Sequence, residues 1–221
     1  MLTPIVKKLI LANVALFVAT FFLDLSAPEF GRAVVRFLAV VPQDVVYRAH
    51  LWQVATYMFL HGGLWHLLIN MLVLWMFGSD LERDWGQRRF LTFYLLTGIG
   101  AGLFNVGVSL ATGREATPTI GASGAIYGIL LAFGLLYPNR PILIIPFPVA
   151  IPAKVYVLIM GGITFLSSLG VSGGISHVTH LGGMIFSYLY LRGDWMYYRA
   201  LSGYRDWHRR RLRRKFEVYL R

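Results

Sequence analysis

Six apolar stretches separated by short polar breaks run almost the whole length of this chain: Ile5–Leu23, Leu64–Phe77, Phe90–Leu110, Gly121–Tyr137, Val155–Leu169 and His177–Leu191. A bilayer core about 30 Å thick takes about 20 apolar residues per helix, and fewer where a helix stops short of the surface. The alternative, that these stretches fill the interior of a soluble domain, fails on quantity. The 221 residues are 57% hydrophobic and 14% charged, against roughly 25% charged in soluble domains. One small core cannot hide that much apolar surface, so lipid must be its solvent. The expected fold class is an all-α polytopic membrane protein, a six-transmembrane helix bundle.

The net charge of +11 raises the question of nucleic acid, and the placement of the charges answers it. Ten of the 21 Lys and Arg residues lie from Arg192 onward, against the last apolar stretch. A basic segment abutting a span is a cytoplasmic anchor on anionic lipid, which excludes nucleic acid as the partner. Lys7, Lys8, Arg83, Arg88, Arg89, Arg140 and Lys154 fall on the same side as that tail, and only Arg32, Arg36, Arg48 and Arg114 fall on the other. Both termini are therefore expected in the cytoplasm. The start of the chain has the look of a signal peptide, but Leu25-Ser26-Ala27 is a poor cleavage site, and the segment is read as a retained helix. Residues 1–191 are expected to form one six-span core, with 24–52 as an external membrane-associated loop and 192–221 as a basic, interfacial tail. In that loop Phe30, Val34, Phe37, Leu38 and Val41 fall at helical spacing with Arg32 and Arg36 offset, the pattern of a helix lying in the interface. The five prolines between Pro138 and Pro152 forbid a regular helix there and mark a cytoplasmic connection. With no cysteine in the chain, disulfides, thiolate metal sites and a cysteine nucleophile are excluded.

Polar side chains inside a membrane are costly and become functional candidates by default. Ser123 stands in the first turn of the fourth span, where unpaired backbone N–H groups and the positive end of the helix dipole suit a developing oxyanion. Gly124 and Gly128 form a small-residue pattern that lets another helix approach closely. The sixth span opens with His177, Thr179 and His180, followed at once by Gly182 and Gly183. Apposed small faces would bring a histidine within hydrogen-bond reach of Ser123, and His180, beside the glycines, is the expected general base. His177, one turn nearer the surface, is read as a water-exposed residue. The fourth to sixth spans hold no Asp or Glu, so a dyad rather than a triad is expected. On the second span His66 and Asn70 share one helix face and form the expected oxyanion hole, with interhelical hydrogen bonding as the structural alternative. His61 is read as structural.

These residues resemble the rhomboid family of intramembrane serine proteases. Gly121-Ala122-Ser123-Gly124 is similar to its Gly-x-Ser-Gly motif, and His180-Leu181-Gly182-Gly183 to its His-[Leu/Ile]-Gly-Gly element. His61, His66 and Asn70 reproduce its second-span pattern, and Leu81-Glu82 followed by Gly86 resembles the segment after that span. The resemblance implies a six-span rhomboid-like bundle and an intramembrane serine endopeptidase. Gly121 and Tyr127 would support the site, the tyrosine lying beneath the catalytic histidine. It also implies transmembrane protein substrates cut at small side chains, with membrane lipids around them and no metal or organic cofactor. Six spans without added domains suit a bacterial inner membrane. A non-catalytic, client-binding member is the rival reading, and a small transporter a more distant one. The chain departs from many members at Trp52-Gln53, where an arginine often follows the tryptophan. That change bears on anchoring of the external loop rather than on catalysis.

Overall fold

A computed structural model describes residues 1–144, 149–169 and 177–194. The basic tail, expected as an interfacial helix, lies outside the described residues apart from its first three positions. The chain divides into two units, Met1–Ser187 and Tyr188–Arg221, and the site described below is contained in the first.

The first helix, α1 (Pro4–Ser26), starts with proline at its first position, where the missing N–H is no loss. Its first N–H groups, which have no partner within the helix, are capped from far away in sequence. The buried Glu82 carboxylate accepts hydrogen bonds from the Thr3 hydroxyl (2.5 Å) and the backbone N–H groups of Ile5 and Val6 (2.9 Å each). A negative charge there also meets the positive end of the helix dipole.

The external loop forms two helices, each opened by a proline: α2 (Pro28–Leu38), strongly amphipathic, and the short α3 (Pro42–Tyr47). Trp52 and Gln53 pin the loop in place. The Trp52 indole N–H donates to the Phe37 carbonyl at 2.8 Å, and the fully buried Gln53 accepts from the Val41 N–H at 3.0 Å. Its amide nitrogen points to the carbonyls of Arg36 and Phe37 at 3.3 and 3.4 Å. A neutral amide thus anchors the loop where the family it resembles often has arginine.

A short helix α4 (Gln53–Thr56) and a 3-10 turn lead to α5 (Leu64–Val73). The helical run expected to stop at Phe77 continues through a π-turn, Leu74–Gly78, into α6 (Ser79–Trp85). It stops at Gly86, whose φ of 80° side chains rarely adopt. Helix α7 (Gln87–Ala111) follows, then α8 (Ser123–Leu136), α9 (Ala153–Ser168) and α10 (177–194). By length and apolarity α1, the run Leu64–Trp85 and α7 can each cross a bilayer, while α8 and α9 are shorter apolar helices. Between α8 and α9 the proline-rich segment is not irregular. It pairs as an antiparallel hairpin, β1 (Pro141–Ile144) with β2 (Val149–Pro152), and the pair Pro141 and Pro152 closes its base.

Helix α8 is the hub. It packs against α7, α9 and the π-turn of the second run, and most of its residues from Gly124 to Gly134 are buried. Tyr57, Phe90, Phe93 and Tyr94 fill the interior beside it.

Candidate functional site

Ser123 is the first residue of α8, and the chain entering it is held on two sides. Thr119 and Val40 exchange both backbone hydrogen bonds (2.8 and 3.0 Å), and the Gly121 N–H donates to the Tyr57 carbonyl at 2.9 Å. Tyr57 in turn donates its hydroxyl to the Gly98 carbonyl at 2.7 Å. Gly121 has φ of 124°, a backbone that disfavours any side chain. A Cβ there would lie 2.8 Å from His66 Nε2 and 3.7 Å from Ser123 Oγ. The absent side chain is therefore the space that Ser123 and His66 share.

His180 approaches because α8 and α10 touch backbone to backbone. A Cβ on Gly183 would overlap the Gly124 carbonyl oxygen, and one on Gly128 would sit 3.2 Å from the Gly183 carbonyl oxygen. The buried Ser187 hydroxyl donates to the Gly128 carbonyl at 2.8 Å, and Asn105 on α7 donates to the Thr179 hydroxyl at 3.0 Å. These contacts fix the height of α10 along α8. His180 Nε2 then lies 2.7 Å from Ser123 Oγ. Tyr127, one turn beyond Ser123, stacks flat on the imidazole, with centroids 4.1 Å apart and planes 7° from parallel. The His177 ring stands edge-on to His180 at 5.8 Å. His180 Nδ1 is buried with no hydrogen-bond partner among the described residues, so no carboxylate orients the ring from that side.

The Gly62 N–H points to His66 Nδ1 at 3.4 Å, and an imidazole accepting at Nδ1 carries its proton on Nε2, the nitrogen facing Gly121. Asn70 is buried on the same helix and donates to the His66 carbonyl at 2.7 Å. One amide N–H is thus engaged within its own helix, and the second remains for another acceptor. His61 is buried, packs edge-on against His66 at 5.0 Å, and has both ring nitrogens without a partner among the described residues. Burial first, and the neighbouring His66 second, push its imidazole down to about 4 from 6.5, against a smaller upward pull from the Phe59 backbone. Ser123, His66, Tyr127 and His180 are each half-buried, so a substrate can reach them. Among the described residues no cluster of three His, Asp or Glu side chains stands at metal-binding spacing.

Sequence reasoning did not single out Thr179 and Asn105, which set the register of α10, or Glu82 as the cap of α1. The small faces at Gly124, Gly128, Gly182 and Gly183 signalled the close approach of α8 and α10, but not the hydrogen bonds that fix their register.

A family model described as "Rhomboid domain" matches residues 48–196. "Rhomboid protein 1, mitochondrial" of Saccharomyces cerevisiae is 35% identical over 136 residues, 60% of this chain and 38% of that protein. "Presenilin-associated rhomboid-like protein, mitochondrial" of Mus musculus is 34% identical over 136 residues, 60% of this chain and 35% of its own length. "RHOMBOID-like protein 1" of Arabidopsis thaliana is 25% identical over 219 residues, which cover 84% of this chain and 51% of the relative. The aligned part of this chain thus spans between a third and about half of these relatives.

Proposed function

We propose that this chain, which belongs to the rhomboid family, is an intramembrane serine endopeptidase acting through a Ser123–His180 dyad. The observation that carries the reading is the 2.7 Å contact between Ser123 Oγ and His180 Nε2, with the imidazole held flat on Tyr127. A nucleophile and base in hydrogen-bond reach, on helices that cannot slide without backbone clashes, is the arrangement covalent catalysis requires.

In the proposed reaction Ser123 Oγ attacks the peptide carbonyl carbon while His180 Nε2 takes the hydroxyl proton. The carbonyl π pair moves onto oxygen. That oxyanion forms beside Gly121, where the backbone N–H groups at the start of α8 and the N–H on His66 Nε2 converge, with Asn70 as a further donor. The protonated His180 gives its proton to the leaving amine as the C–N bond breaks. Water then attacks the acyl-enzyme, His180 again taking and returning the proton, which frees the acid and restores Ser123. Space beside Gly121 for the oxyanion supports Gly121 and Tyr127 as supporting residues rather than reacting ones.

The substrates we propose are membrane proteins cut in or near a transmembrane segment. The core is 1–191, with 192–221 as a basic tail on anionic lipid. The membrane we propose is a bacterial inner membrane, and the charge asymmetry supports cytoplasmic termini, with the site then toward the outer leaflet. A substrate cleaved from the outer face of sealed vesicles tests that orientation.

The experiment is cleavage of a single-span substrate by the full chain in liposomes, paired with labelling by a fluorophosphonate. Wild type is expected to cleave and label. Ser123→Ala and His180→Ala are expected to do neither while remaining folded. A folded wild type that neither cleaves several permissive substrates nor labels would overturn the protease and favour a client-binding member.

A further inference from the structure

A cavity of about 760 Å³ opens between α1, α2 and the start of α5. Its walls are apolar, from Phe17, Phe21, Val35, Leu64 and Ile120, and the charged residues lining it are Asp24, Arg32 and Arg36. The catalytic pair does not line it. It borders the site through Ile120, next to Gly121, through His61, whose ring packs on His66, and through Gly62, whose N–H points to His66.

We infer that this cavity is a binding site for one anionic phospholipid, taking an acyl chain between Phe17, Phe21 and Leu64 and its phosphate on Arg32 and Arg36. An open apolar cavity in a membrane protein has hydrocarbon as its natural tenant, because water there has too few polar partners. Phe21 and Leu64 are also exposed, at 56% and 57%, so the walls run out onto the lipid-facing surface. Charge decides the headgroup. Two guanidinium groups against one carboxylate leave the lining net positive. Neither arginine is locked away. The Arg32–Glu29 pair joins side chains that are 63% and 93% exposed, and Arg36, itself half-exposed, meets the buried Asp44 carboxylate at 3.4 Å, a partner that Arg48 also reaches at 3.5 Å. An exposed pair such as Arg32–Glu29 contributes little, less than a bidentate guanidinium–phosphate contact, and with Arg48 on the same carboxylate Asp44 keeps a cation when Arg36 turns to a phosphate.

Gly63 adds an independent argument. Its φ of 170° is ordinary extended backbone, and a Cβ on it would meet nothing within 4 Å. The fold does not require glycine there; Gly63 lines the cavity, and its missing side chain leaves that stretch of wall open. Gly63 also caps α5, whose first turn carries His66, and Gly62 donates to His66. A lipid tail resting on this corner would bear on the oxyanion side of the site. That consequence rests on the protease reading, but the binding itself does not.

The test uses the full chain with Ser123→Ala, so that binding is read without turnover. Delipidated protein is titrated with phosphatidylglycerol, with phosphatidylcholine of the same chains, and with inorganic phosphate, reading adducts by native mass spectrometry and the melting temperature. One phosphatidylglycerol per chain is expected, about tenfold tighter than phosphatidylcholine, the value of one charge-assisted contact. Inorganic phosphate is expected to do nothing. Arg32→Gln with Arg36→Gln should erase the preference, and Gly63→Leu should remove both lipids. Equal affinity for the two lipids, or a preference untouched by the double glutamine variant, overturns the site. So does retention of lipid in Gly63→Leu together with weaker binding of a substrate peptide, which would assign the cavity to peptide. Fluorophosphonate labelling of the Ser123 parent, run in parallel, keeps failure of this inference distinct from failure of the protease reading.

Discussion

Two buried polar clusters sit at opposite ends of the second helical run, and they are built on opposite rules. Around Glu82 both carboxylate oxygens are used, by the Thr3 hydroxyl and two backbone N–H groups. Nearby, Asp80 pairs with Arg83 and Arg140, and Tyr137 donates to Asp84. Around Ser123 the pattern is sparse. His180 contacts Ser123 at one nitrogen and leaves the other unpartnered among the described residues, as are both nitrogens of His61. Buried polar groups are normally satisfied, so a cluster that leaves capacity open deserves a different explanation from one that is full. The full cluster holds helices together. On the proposed protease reading, the open one keeps hydrogen-bonding capacity for a substrate that passes through charged states.

The comparison breaks most visibly on activity. Ser123→Ala removes the proposed nucleophile and nothing structural, so cleavage should fall by roughly 10⁴-fold or more with the melting temperature unchanged. Glu82→Ala should do the reverse. It strands three donors at the start of α1, a loss of about 3 kcal/mol, while the fraction that stays folded keeps its kcat. Unfolding curves and active-site titration on the two variants separate the cases. If Ser123→Ala proved as destabilising as Glu82→Ala, the division between a holding end and a reacting end would be wrong.

A third substitution sharpens it. Gly183→Ala places a methyl group on the Gly124 carbonyl oxygen. Relief requires α10 to back away, carrying His180 from Ser123. Overpacking of this kind costs about 1–3 kcal/mol, and here it should lower activity by more than the stability loss explains. Cleavage rates per folded molecule read the difference. An unchanged rate would mean that the dyad does not depend on the glycine contact.

How much of this was legible beforehand follows from the range of the interactions. The spans were legible because apolar runs are local, and the approach of α8 to α10 because Gly124, Gly128, Gly182 and Gly183 mark small faces at helical spacing. Ser123 and His180 stood out as polar residues in costly places. The Tyr127 stack came only with the family resemblance, since a tyrosine on a span is otherwise unremarked. The role of Glu82 could not be read, because its partners lie 76 to 79 residues away and leave no periodic trace. Gln53 was misleading in isolation. The missing charge suggested a weaker anchor, whereas backbone acceptors and a donor around it suit a neutral amide. The hairpin after α8 was hidden by its prolines, which exclude helix but still sit at the ends of paired strands.

The smallest expected effect lies in the pH dependence of the open cluster. His61 sits outside the spans with its imidazole held down to about 4 in the folded chain, chiefly by burial and then by His66, against an ordinary 6.5. The unfolded chain therefore binds this proton first as pH falls. Stability contributed by keeping His61 neutral is complete above about 6.5 and declines as pH drops toward 4. Melting temperatures at pH 7.5, 6 and 5 should fall more steeply for wild type than for His61→Phe, which cannot take the proton. The groups facing His61 are His66 across the ring contact and the charged lining of the cavity, Asp24, Arg32 and Arg36. His66 titrates in both chains, so the difference between the two slopes isolates His61. Equal slopes would mean that His61 has a partner able to accept its proton, and the cluster would then be as saturated as the one around Glu82.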